Sequence, residues 1–192
     1  MRRVTALLIV AVCTVYAQSA ELGALTASGY SNSVLGFRYT PPSSLVLDQT
    51  SQARDNLQKR AAELHPTSSS SILLRLISGG ADTAPDWASL AVMTYNRASW
   101  SDVDDFHAET RMNATMAGGA LPIGDKPSIT FSGVMFAASQ FEIRQGALTK
   151  HATVYSTVRR GKLLAFAFSG NSAEIVAKDA DSLKSLSFFD AP

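Results

Sequence analysis

The densest group of potential metal ligands in this 192-residue sequence is Asp104, Asp105, His107 and Glu109. Asp104 and His107 are three residues apart, which on a helix places them one turn apart and close in direction. Carboxylate oxygens and an imidazole are groups that divalent metal ions accept. However, Val103 and Phe106 already define an inner helix face, so the preferred interpretation is a solvated outer face. No second cluster with ligand spacing completes a coordination shell in the sequence.

Nucleophilic chemistry has less support in the sequence. There is no Gly-x-Ser-x-Gly motif, and Ser132 and Ser169 lie at predicted strand ends or turns. His65 precedes a proline at a predicted helix end, where an imidazole is expected to act as a C-terminal cap. We therefore predict no catalytic residue and no cofactor.

Surface binding has two sets of candidates. Arg159, Arg160 and Lys162 form a basic hairpin turn, which is suited to an acidic partner but is also typical of an ordinary solvated turn. Trp87 and Trp100 flank a predicted strand. If these rings are exposed they indicate a binding surface, and if they are buried they belong to the core.

Residues 1–20 have the pattern of a secretory signal peptide. Two arginines precede an apolar run, Val4–Tyr16, and Ala17 and Ala20 then offer small residues for cleavage. The run is about 13 residues long, whereas a membrane-spanning helix needs roughly 20. We therefore expect an exported protein, periplasmic or secreted, that does not insert stably in a membrane once the signal is removed.

The only cysteine, Cys13, lies inside this predicted signal. Its removal would leave a domain without thiols or disulfides. A lipoprotein would instead retain Cys13 as its lipidated first residue, but Val12 and Val10 do not fit that signal. The chain carries 17 Lys and Arg against 16 Asp and Glu, and this near-neutral charge does not favour nucleic-acid binding.

The remaining pattern predicts one α+β domain over residues 33–190, preceded by a flexible segment over 21–32. Antiparallel hairpins dominate the second half, so helices are expected to pack on an antiparallel sheet. In the strand Leu163–Ser169, large side chains alternate with small ones, which predicts a helix packed closely on the small side. A first helix is expected from a cap at Thr50 or Ser51 to a stop at Pro66. A second is expected from Ser101 to about Met116, followed by a loop to Pro127, and a third from a cap at Asn171.

Three segments resemble the PsbP-like superfamily, which includes exported bacterial proteins of the DcrB kind. They are Gly36-Phe37-Arg38-Tyr39 before Pro41-Pro42, the hairpin Tyr155–Ser169 with its Arg-Gly-Lys turn, and the closing helix Asn171–Phe189. The resemblance implies an αβα sandwich around an antiparallel sheet and a theme of non-catalytic binding. It carries no binding-site residue over to this chain.

The function that these observations predict is an exported, soluble, non-catalytic domain that binds a protein of the cell envelope or stabilises an envelope assembly. The alternative is a small-ligand-binding protein or hydrolase with a pocket between sheet and helices. That alternative is motivated by the aromatic residues Phe131, Phe136, Phe141, Phe166 and Phe168. A third hypothesis is a metal-binding domain at Asp104 and His107.

Overall fold

A seven-stranded antiparallel sheet organises the chain, and other elements cover both of its faces. The computed structural model describes residues 22–48, 50–96, 103–117 and 119–190. The sheet has the strand order β4-β5-β6-β10-β9-β8-β7, and a second sheet has the order β1-β2-β3-β11. The elements in chain order are β1 (Ala24–Thr26), β2 (Gly29–Asn32), β3 (Phe37–Tyr39), β4 (Leu45–Leu47), α1 (Ser51–Leu64), β5 (Ser70–Ser78), β6 (Ala88–Asn96), α2 (Val103–Ala117), β7 (Ala120–Phe131), β8 (Val134–Gln145), β9 (Leu148–Arg159), β10 (Lys162–Gly170), α3 (Ala173–Ala180) and β11 (Ser187–Phe188).

Helices α1 and α2 cover one face of the seven-stranded sheet. Ala61 of α1 and Phe106 of α2 pack against Met93 and Tyr95 of β6 and against Ala165 of β10. The predicted apolar stripes of both helices therefore face the sheet, because residues three or four apart share one side of a helix. None of the helices that the structure describes is long and apolar enough to cross a membrane.

Helix α3 and the four-stranded sheet cover the opposite face and enclose the largest core. Phe166 of β10 contacts Phe37 and Tyr39 of β3, with ring centroids 5.9 and 5.3 Å apart. Val176 of α3 and Leu183 of the following 3-10 turn join the same cluster. The predicted α+β class is confirmed. The αβα sandwich is confirmed in part, since a second sheet shares the α3 face.

The N-terminal hairpin corrects the prediction of a flexible segment over residues 21–32. Strands β1 and β2 pair antiparallel, and β2 pairs with β3 so that Tyr30 lies opposite Tyr39. Tyr30 and Asn32 are buried, and Asn32 Oδ1 accepts a hydrogen bond from the backbone N–H of Leu35 at 2.9 Å. The segment has few large apolar residues, so its order depends on pairing with β3 rather than on its own apolar pattern.

Strand β7 corrects the prediction of a loop up to Pro127. It forms one edge of the sheet, and its register with β8 shifts between Pro122 and Gly124 and again between Lys126 and Ile129. Prolines and bulges are tolerated at an edge, where one side of the strand makes no ladder bonds. The same features discourage another strand from pairing there.

The cap of α3 lies one residue later than predicted. Ser172, rather than Asn171, is the N-cap, and its hydroxyl accepts a hydrogen bond from the Ile175 N–H at 3.2 Å. Asn171 instead donates through Nδ2 to the carbonyls of Asp82 and Ala84. It therefore attaches the loop before β6 to the start of α3.

Candidate ligand-binding cavity

An apolar cavity of about 200 Å³ lies between the seven-stranded sheet and helices α1 and α2. Five of its lining residues are alanines, contributed by both helices and by three strands: Ala61, Ala114, Ala120, Ala152 and Ala167. These small side chains leave space where larger ones would fill the layer. The predicted close packing of a helix on the small side of β10 is therefore only partly realised, because the cavity lies over Ala167.

The sheet floor of this cavity is incompletely covered. Val154 of β9 and Ala167 of β10 are cross-strand partners near the middle of the sheet, yet both are only half-buried. Ser169 and Ile143 at the same face are also half-buried. An antiparallel sheet can leave one face in water, but here α1 and α2 cover most of this face. The opening between them and the sheet is therefore a concave apolar space of the kind that a ligand fills.

Four of the five phenylalanines that motivated the pocket hypothesis lie elsewhere. Phe141 lines the cavity. The other four phenylalanines belong to the core on the α3 face of the sheet: Phe131, Phe136, Phe166 and Phe168. The cavity lies between sheet and helices, as the alternative hypothesis requires, but only one of the five phenylalanines that motivated it lines the cavity.

His65 and Thr110 form one wall of the cavity where α1 meets α2, and Glu109 pairs with His65 without lining the cavity. His65 is 1% exposed, and its Nδ1 lies 2.8 Å from Glu109 Oε2 while its Nε2 lies 3.1 Å from Thr110 Oγ1. The imidazole stacks on Phe106 with centroids 4.6 Å apart. His65 thus connects the two helices beside the cavity, beyond the helix-capping role that the sequence predicts.

Burial lowers the pKa of His65 below its usual value of 6.5, and the carboxylate of Glu109 opposes this shift without reversing it. The unfolded chain therefore binds more protons at this residue than the folded protein does below pH 6.5. We expect stability to fall as pH falls from 7.5 through 6.5, by at most about 1.4 kcal/mol per pH unit from this group. Urea unfolding at pH 7.5 and 5.5 checks this for the wild type and for His65→Gln. An equal loss of stability in both proteins would contradict it.

The proposed ligand pair Asp104 and His107 does not form a shared site. Asp104 is exposed, whereas His107 is 3% exposed and points to the sheet, which corrects its assignment to a solvated face. His107 Nδ1 lies 2.8 Å from Ser139 Oγ, and its Nε2 lies 2.7 Å from Ser156 Oγ. Both ring nitrogens are therefore engaged by buried hydroxyls. Across the described residues, no group of three or more His, Cys, Asp and Glu side chains is arranged to hold a metal ion.

The basic hairpin is attached to the rest of the chain by its arginines. Arg160 donates through Nη1 to the carbonyls of Ser33 and Val34 and through Nη2 to that of Phe189, at 2.7, 3.0 and 2.9 Å. Arg159 donates to the carbonyls of Leu35 and Phe189. These contacts use both guanidinium groups within the molecule, so of the three residues Lys162 is the one exposed without such anchoring contacts to main-chain carbonyls.

The geometry of this turn depends on the same contacts. Arg160 has a φ of 47° and Gly161 a φ of 77°, which together match a two-residue type I′ hairpin turn. An arginine rarely adopts a positive φ, and the three carbonyl contacts hold it there. Gly36, whose φ is also positive, lies directly against the Arg160 guanidinium and the Phe189 carbonyl, where a β-carbon would collide with both.

Trp87 packs against a buried lysine. The Nζ atom of Lys150 lies 4.2 Å from the centroid of the Trp87 ring and 3.2 Å from Asp82 Oδ2. Trp87 is half-buried, so it is neither a fully exposed binding residue nor a fully buried core residue, the two alternatives that the sequence left open. Trp100 lies outside the described residues.

Comparison with solved structures identifies the fold. The solution structure of cyanobacterial PsbP (CyanoP) from Synechocystis sp. PCC 6803 matches with a TM-score of 0.54 and 14% identity, covering 87% of this chain and 96% of that one. A Pseudomonas aeruginosa protein of unknown function, described as a putative regulator, matches with a TM-score of 0.45 and 14% identity over 61% of this chain and 78% of that one. LpqN, involved in cell envelope biogenesis of Mycobacterium tuberculosis, matches with a TM-score of 0.42 and 9% identity over 78% of each chain.

No protein-family model and no curated protein matches the sequence. The similarity to CyanoP nevertheless spans nearly the whole of that domain. It establishes a PsbP-like fold for this chain, as the sequence resemblance predicts. At this identity it establishes the fold alone.

Proposed function

Proceeding from the PsbP-like fold, we propose that this chain is an exported, non-catalytic binding domain that holds an apolar group in the cavity beneath α1 and α2. The observation that carries the proposal is the half-buried apolar floor at Val154 and Ala167 on two interior strands. Filling this space with an apolar group removes that surface from water, which stabilises the complex by about 25 cal/mol per Å². Export rests on the predicted signal peptide over residues 1–20.

The size of the cavity limits what it holds. A protein cavity of about 150 Å³ accommodates benzene, whereas pockets for drug-sized ligands occupy roughly 300–1,000 Å³. At about 200 Å³, this cavity fits one ring, a short acyl chain or the apolar end of a larger molecule.

The polar groups at the wall support binding rather than hydrolysis. His65 is held between Glu109 and Thr110, and Thr110 also donates to the Phe106 carbonyl at 2.7 Å. The other Ser–His contacts, at His107, are buried between α2 and the sheet. A hydrolase needs an accessible nucleophile whose proton a base removes. The Thr110 hydroxyl lines the cavity but donates its proton to the Phe106 carbonyl rather than to His65, and the hydroxyls of Ser139 and Ser156 are enclosed.

A cavity-filling variant tests the proposal. Ala167→Phe places a ring in the cavity, so we expect it to abolish binding of 1-octanol while raising stability by about 0.5–2 kcal/mol. Binding is followed by amide chemical shifts in NMR titrations, which in the wild type should saturate and map to residues around the cavity. Ala177→Phe, on the exposed side of α3, is the matched control and should bind as the wild type does. Failure of the wild type to show saturable shifts would overturn the proposal.

A second candidate is an accessory domain that binds an envelope protein. Apolar side chains are exposed along β7 and the start of β8, with Ile123 54% and Met135 65% exposed, and with Leu121 and Ile129 nearby in sequence. Exposed apolar residues on neighbouring strands are typical of an interaction surface. This candidate becomes the leading one if octanol does not bind.

A further inference from the structure

Arg60 differs from the other residues around the cavity in its charge. It is the one Lys or Arg among the described lining residues, and that lining includes no aspartate or glutamate. Arg60 lies on α1 between Leu57, Ala61 and Leu64, which line the same cavity. Its side chain is 38% exposed, so the guanidinium lies at the rim rather than inside.

We propose that the ligand is an amphipathic monocarboxylate whose apolar chain fills the cavity and whose carboxylate binds Arg60. This inference rests on the proposed function and specifies its ligand. A benzene-sized space of about 150 Å³ for six carbons implies a chain of roughly eight carbons in a cavity of about 200 Å³. A fatty acid of this length combines both features.

The Arg60 guanidinium can exchange its present partner, Glu63, for a ligand carboxylate. Among the described residues it pairs with Glu63, through a contact of 3.2 Å between Arg60 Nη1 and Glu63 Oε2, and the Glu63 side chain is 45% exposed. Exposed ion pairs of this kind stabilise proteins little. A carboxylate delivered by a bound acyl chain can make two parallel hydrogen bonds to the guanidinium, in a partly desolvated place where such bonds are stronger.

The other charged groups near the cavity do not compete for the ligand carboxylate. Glu109 lies against His65, and the buried Lys150, two residues from Ala152 on β9, is paired with Asp82. A cationic ligand would find no carboxylate among the described lining residues, and it would meet Arg60 at the rim. Charge complementarity therefore favours an anionic head group over a cationic one.

Calorimetric titration at pH 7.5 with octanoate and with 1-octanol tests this inference, because the two ligands share a chain and differ in charge. We expect the wild type to bind octanoate about tenfold more tightly than 1-octanol. Arg60→Gln should remove that preference while leaving the octanol affinity unchanged. Lys59→Gln, which removes the same charge from the neighbouring exposed residue of α1, is the matched control and should keep the preference.

A second variant, Glu63→Gln, is expected to strengthen octanoate binding rather than weaken it. Glu63→Gln releases the guanidinium from its internal partner, so octanoate binding should strengthen while octanol binding stays constant. Equal affinity for octanoate and octanol in the wild type, or an unchanged preference in Arg60→Gln, overturns the inference and leaves the apolar cavity as the site. Absence of binding by both ligands overturns the inference together with the proposed function.

Discussion

Replacement of Phe166 by alanine is expected to lower the free energy of unfolding by about 3–5 kcal/mol. Phe166 is fully buried on the central strand β10, and its ring contacts those of Phe37, Tyr39 and Phe136. It therefore fills the space between the two sheets. Loss of the ring removes apolar burial and leaves a cavity that rigid strands on both sides cannot close.

Urea unfolding, monitored by circular dichroism, measures this effect. The matched control is Phe189→Ala, because Phe189 is half-buried at the edge of the small sheet and stacks under Arg38. The control should cost clearly less than Phe166→Ala, with the same dependence on urea concentration. A loss below about 1 kcal/mol for Phe166→Ala would show that its ring is not packed between the sheets.

The second large effect is expected at His107. Substitution by leucine should destabilise the protein by about 2–5 kcal/mol, because the buried hydroxyls of Ser139 and Ser156 then lose the imidazole as a partner. Ser139 still receives a hydrogen bond from Arg111 Nη1 at 3.2 Å, so Ser156 should account for more of the loss. Urea unfolding measures the difference.

A combined variant separates this structural role from a chemical one. If His107→Leu is joined to Ser139→Ala and Ser156→Ala, an all-apolar cluster replaces the polar one and most of the stability should return. A single variant no less stable than the triple variant would contradict the hydrogen-bonded role. So would a zinc-dependent rise in the melting temperature of the wild type, which a metal site at His107 would produce.

The elements with strong local patterns are predictable from the sequence. Helix α1 begins and ends where its apolar stripe and Pro66 indicate, and the hairpin from β9 to β10 follows from its Arg-Gly-Lys turn. The first part of β7, up to Pro127, was predicted to be a loop, and its residues Pro122, Gly124 and Pro127 do disfavour strands. Its place at the sheet edge, with two bulges, makes these residues compatible with a strand, and edge position is not a local property.

The candidate site is less predictable for a related reason. His107 was predicted to lie on a solvated face because Val103 and Phe106 define the inner face of the helix, but its partners Ser139 and Ser156 are 32 and 49 residues away. The cavity depends on alanines from five different elements, and each alanine by itself indicates only close packing. The burial of His107 and the position of the cavity both depend on contacts between residues far apart in the chain. A single sequence does not show which distant residues come into contact.

The closure of the small sheet has a consequence for the order of folding. Strand β3 pairs with β11 near the end of the chain, and the Arg160 contact to Ser33 spans 127 residues. A chain that emerges from the ribosome or a translocation channel with its N-terminus first holds β1, β2 and β3 without their closing strand until nearly all residues are available. Contacts this distant in sequence slow folding, because the entropy of closing a long loop is lost before the contacts form. We therefore expect the small sheet to be completed last, although its first three strands are synthesised first.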